Sequence, residues 1–114
     1  MAKLPAETSE TIWTLLRQLL TIVEDAGAAE YTLFERYGET PSTLGNLADL
    51  KKLAEEAATR YSQLFKIRLR IAEANPTAPN DMLRLVDTAI TQNQLRIPAM
   101  ERSIQEIKTE WNLQ

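Results

Sequence analysis

Apolar residues recur along this chain in steps of three and four over three long stretches. In the first, Ile12, Leu15, Leu19, Ile22, Ala26, Ala29 and Leu33 share one face of a helix, and the phase runs unbroken across Gly27. Leu16, Leu20 and Val23 widen that face to about half the circumference, which predicts contact with two neighbouring helices. Pro5 in the first turn, or Thr8 and Ser9 as caps, mark the start; Gly38 followed by Pro41 marks the stop.

The segment GETPSTLGN, residues 38–46, collects turn formers and reads as a loop. Asn46 suits the cap of a second helix with Asp49 in its first turn. Leu47, Leu50, Ala54, Ala57, Tyr61, Leu64, Arg68 and Ile71 form its stripe, and Lys52, Glu55, Glu56 and Lys66 fall on the opposite side, expected to face water. Asn75 before Pro76 closes it, because a residue preceding proline resists helical geometry.

A third helix is expected from Pro79 or Asn80. Leu83, Val86, Ile90, Asn93, Ile97, Met100, Ile104, Ile107 and Trp111 keep one phase straight through Pro98. Two unrelated helices would rarely preserve that register, so a continuous helix kinked at Pro98 is predicted, although an interior proline costs about 3 kcal/mol. Short connections favour antiparallel neighbours. The predicted fold is therefore all-α: one domain, residues 1–114, folded as an up-down-up bundle of three long helices, or a four-helix bundle if the chain breaks at Pro98 or Gly27.

That topology brings Gly27, Ala57 and Ile97 to one height. Ala26 to Ala29 and Ala54, Ala57 and Ala58 would then make a narrow waist opposite Pro98, read first as close packing and second as a ligand pocket or hinge. Two polar residues fall on the apolar seam. Arg68 is expected within reach of Asp87, and Asn93 near Tyr61 and Val23, as structural contacts in preference to an anion-binding or catalytic set.

Composition narrows the chemistry. The 114 residues include no Cys and no His, which removes disulfides, thiolate and Ser-His-Asp nucleophiles, and the common zinc and di-iron ligand sets. A net charge of −3 argues against binding a nucleic-acid backbone. No apolar run approaches the ~20 residues that span a bilayer, and MAKLPAETSE lacks the apolar core of a secretion signal, so no membrane partner and a cytoplasmic location are expected.

Two helical enzyme patterns fail on inspection. Glu7 and Glu10 have the spacing of a Mg²⁺-binding carboxylate pair, but no second pair faces them, and acids at a helix start favour the dipole anyway. Arg68, with Arg17 and Arg60 at the margins, supplies too few cations to hold a dicarboxylate. No cofactor or metal is expected.

Aromatic residues point elsewhere. Tyr31, Phe34 and Tyr37 gather at the end of the first helix and Trp13 lies toward its start, at the edge of the apolar face, where exposed aromatics either cap the bundle or anchor a partner. Leu53, Phe65 and Leu69 extend the second stripe beyond what one thin bundle buries, and self-association would cover the surplus. The expectation is a non-enzymatic interaction module, an adaptor, assembly factor or regulator whose partner is another protein or a second copy in a homodimer. The alternative is an enzyme or small-ligand binder at mid-bundle near Pro98, Asn93 and Arg68.

Overall fold

The computed structural model describes residues 4–74 and 77–113. Three α-helices account for nearly all of them: α1 (Ala6–Tyr37), α2 (Leu44–Glu73) and α3 (Asn80–Trp111). All three pairs of helices pack against one another, with extents of 56 × 18 × 16 Å, so the bundle is long and thin.

Each stripe read from the sequence lies in the core. Ile12, Leu15, Leu19, Ile22, Ala26, Ala29 and Leu33 from α1 are buried together with Leu50, Leu53, Ala57, Leu64 and Ile71 from α2 and Val86, Ile97, Met100, Ile104 and Ile107 from α3. Burying a side chain of Leu or Ile size stabilises by about 1.5–3 kcal/mol, so these stripes hold the helices together in spite of weak capping. None of the three N-termini carries a side-chain cap hydrogen bond.

Both helices run unbroken, as their apolar phase predicts. α1 continues through Gly27, and α3 continues through Pro98, so the four-helix alternative is not what forms. Pro98 and Gln94, the residue whose carbonyl loses its helical donor, are both exposed. The missing bond therefore falls on the wet side of α3.

The helix ends show where local chemistry decides. α1 stops at Gly38, whose φ of 71° is costly for a residue with a Cβ, while its N–H donates to the Phe34 carbonyl at 2.8 Å. α3 stops at Asn112 with φ 53°, and the Leu113 N–H reaches back to the Lys108 carbonyl at 2.8 Å, burying Leu113 beneath the last turn. The expected closure of α2 at Asn75 and Pro76 lies outside the described residues.

The start of α2 differs from the sequence expectation. Helix begins at Leu44, ahead of Asn46, because Thr43 is buried and its hydroxyl donates to the Gly38 carbonyl at 2.8 Å while accepting the Thr40 N–H at 2.9 Å. The loop is thus tighter than its turn-rich composition suggests. Asn46 takes another role: its Oδ1 accepts the Trp111 indole N–H at 2.9 Å and ties α2 to the end of α3. Tyr37 stacks obliquely on Trp111, centroids 5.2 Å apart, and Arg36 donates to the Asn112 carbonyl at 2.9 Å, so all three helices are joined at this end.

The tighter loop also shifts α1 along its neighbours. Glu56 and Arg96 bond directly, so α2 and α3 meet at the height expected from Ala57 and Ile97, but Gly27 shares a groove with Leu47 and Lys51 rather than standing beside Ala57. The waist opposite Pro98 does not form. Ala26, Ala29 and Ala57 are buried, Gly27, Ala28 and Ala58 are exposed, and Pro98 borders Thr11, Thr14 and Gln18 near the start of α1.

Candidate functional site

On α1, a second row runs beside the core stripe. Trp13, Leu20, Gly27 and Phe34 repeat every seven residues, and all are exposed. On α2, Leu44, Lys51, Ala58 and Phe65 do the same, followed by Leu69. A heptad repeat keeps residues on one side of a gently supercoiled helix, so each row is a continuous strip.

Two contacts fix how the rows face each other. Near the start of α1 the Arg68 guanidinium donates to Ser9 Oγ at 3.3 Å, and near its end Gly27, Phe34, Leu44 and Lys51 border one groove. Antiparallel pairing therefore sets Phe34 level with Leu44 and Gly27 level with Lys51. Extended by heptads, the same register sets Leu20 level with Ala58 and Trp13 level with Phe65. The two strips form one face of the α1/α2 pair, on the side away from α3.

Apolar groups dominate both ends of this face. At one end is an open groove of about 570 Å³ whose walls are Tyr31 and Phe34 from α1 and Leu44 and Leu47 from α2, with no residue of α3 bordering it. Tyr31 is 67% exposed and Phe34 54%, unusual fractions for large aromatics. At the other end Trp13 is 39% exposed, and Phe65 lies parallel to Tyr61 with centroids 6.2 Å apart. Charged groups occupy the middle: Arg17, Glu24, Lys51 and Glu55 are all exposed on the same strips.

Of the aromatics singled out from the sequence, Trp13, Tyr31 and Phe34 belong to this face. Tyr37 is turned to Trp111, and its hydroxyl donates to the Trp111 carbonyl at 3.4 Å, so it serves the bundle end. Leu20, expected to widen the core contacts, leaves its side chain on the surface; Phe65 and Leu69 are exposed as the surplus of the second stripe, whereas Leu53, expected with them, is buried.

The polar seam residues are dispersed. Asp87 is exposed, and among the described residues no ion pair joins it to Arg68; Arg68 reaches Ser9 instead, with its Nε buried and unpartnered. Asn93 is 4% exposed and donates to the Ala89 carbonyl of its own helix at 2.8 Å, leaving Oδ1 without a partner. It borders a groove with Arg60 and Leu64. Pro98 lies on a different groove, and Arg68 borders neither.

Sequence reading missed the strongest electrostatic contact. Glu56, assigned to the solvated side of α2, accepts Arg96 through both carboxylate oxygens at 2.7 and 2.8 Å and Arg60 at 2.8 Å. The Arg96 hydrogen bonds hold its carboxyl down at a pKa of about 2, and Arg60 adds to the effect against a partial desolvation cost. The i, i+4 spacing of Glu56 and Arg60 was visible in the chain; the link to Arg96 needs the helix register.

This arrangement offers apolar contact area, a few fixed charges and no convergent set of shifted acids and bases. The chain matches no protein-family model, no curated protein and no solved structure. No helix among the described residues is long and apolar enough to cross a membrane.

Proposed function

We propose that this chain is a non-enzymatic helical interaction module, a small adaptor, assembly factor or regulator acting in the cytoplasm, and that the outer face of the α1/α2 pair receives a protein. One observation carries the reading: Trp13, Leu20, Phe34, Leu44 and Phe65 are exposed along a single face that α3 leaves open. Exposed apolar residues are ordinary when scattered; when aligned along one face and rimmed by charge they suit a protein partner. Trp13, Tyr31 and Phe34 are the anchors, because large aromatics bury much area at little entropic cost.

An enzyme or small-ligand site around Pro98, Asn93 and Arg68 finds no support in a shared cavity. The test is affinity capture with the native chain and with the Leu20→Asp/Phe34→Asp double variant as bait. The reading expects protein recovered in near-stoichiometric amount by the native chain alone; equal recovery by both baits, or by neither, counts against it.

A further inference from the structure

Resting on that reading, we infer that the occupant of the α1/α2 face is a second copy of this chain, docked antiparallel about a two-fold axis that crosses the face near Val23 on α1 and near Ala54 on α2. Gly27 borders the groove at one end of this face. Glycine within an exposed helix costs about 1 kcal/mol relative to alanine, and a Cβ at this position would meet nothing within 4 Å, so the monomer gives no steric reason for it. Something outside the chain must approach there for the missing side chain to matter.

A two-fold at that height supplies it. Leu20 of each copy meets Gly27 of the other, a large side chain over an absent one. By the same operation Trp13 falls over Phe34, and Leu44 over Phe65, so aromatic and apolar groups at one end of the face cover those at the other. An isologous interface requires this kind of self-complementarity.

Charge obeys the same symmetry. Arg17 comes opposite the copy's Glu30, and Lys51 comes within a turn of the copy's Glu55. The other two-fold, with its axis along the helices, would place Gly27 beneath Lys51 and Arg17 over the copy's Tyr61 in place of Glu30, so size and the Arg17–Glu30 pairing both select the antiparallel form. Area is of the right order as well: helices ~45 Å long across a bundle 18 Å wide offer on the order of 800 Å², against ~800 Å² per partner in a stable interface.

The natural absence of cysteine makes the geometry directly testable. Glu24 lies beside the axis on α1 and meets its own copy there, as Glu55 does on α2; mild oxidation of Glu24→Cys should link two chains through position 24. Sedimentation equilibrium should show native dimers, at least tenfold weaker association for Arg17→Glu, and recovery in Arg17→Glu/Glu30→Arg. A native chain that stays monomeric overturns the second-copy inference and leaves the docking face itself to the capture test. A dimer that ignores both charge changes and does not cross-link through position 24 overturns the antiparallel geometry.

Discussion

Phe34 of α1 and Leu44 of α2 stand level on opposite walls of one open groove, both more than half exposed, and neither meets α3 there. Their position follows from the tight loop between them, where buried Thr43 brings α2 into helical form at Leu44. A loop feature thus sets the register of the exposed strips and aligns their apolar residues.

Pro98 interrupts hydrogen bonding in a helix that is otherwise continuous. Pro98→Ala restores the donor to the Gln94 carbonyl and removes a ring clash, partly offset by a more flexible unfolded chain. Net stabilisation of about 1–2 kcal/mol is expected in thermal unfolding. A clear loss of stability would mean that the proline opens a new helix.

Glu56 sets an acid limit. Its carboxyl titrates near 2 in the folded chain against 4.5 in a free side chain, so between these values the unfolded state binds more protons and stability rises with pH. The contribution is fully present above about pH 4.5 and is lost as pH falls toward 2. Because the pair is open to water on one side, Glu56→Gln should cost only about 1 kcal/mol at pH 7 and flatten the acid limb of a denaturant titration series. An unchanged acid limb would show that the Arg96 contact contributes nothing in solution.

Arg68 and Asp87 should behave as strangers. Arg68→Leu, which removes a buried unpartnered Nε, is expected to be neutral or slightly stabilising, and Asp87→Ala neutral within about 0.5 kcal/mol. Ser9→Ala takes away the hydrogen bond that Arg68 does make and should cost about 1 kcal/mol. Urea unfolding midpoints for the three variants decide it; a costly Asp87→Ala would restore the pairing expected from the sequence.

Periodicity made the core legible: the unbroken phase through Gly27 and Pro98 predicts two helices that do run continuously, since burial of aligned Leu and Ile outweighs a local penalty of a few kcal/mol. The stop of α1 at Gly38 and the start of α3 after Pro79 were equally readable, because helix ends are set by local chemistry. What escaped depends on relative placement. The Thr43 network shortened the loop and moved α1 along α2, which dissolved the small-residue waist, separated Gly27 from Ala57 and sent Arg68 to Ser9. Glu56 with Arg96, and Trp111 with Asn46, could be paired only once that register was known. Of the candidate site, the residue types at Trp13, Tyr31 and Phe34 were visible from their spacing, and Phe65 and Leu69 as surplus on the second stripe; that Leu44 and Phe65 line up with them on one face was not, because only the antiparallel register joins the two strips.

The central claim is that the outer α1/α2 face is covered in solution, and sedimentation velocity over a wide concentration range tests it most directly. The native chain of 12.9 kDa should shift with rising concentration to twice that mass, while Leu20→Asp/Phe34→Asp stays monomeric and retains its helical circular dichroism. Identical sedimentation of the two folded proteins at every concentration would contradict the claim.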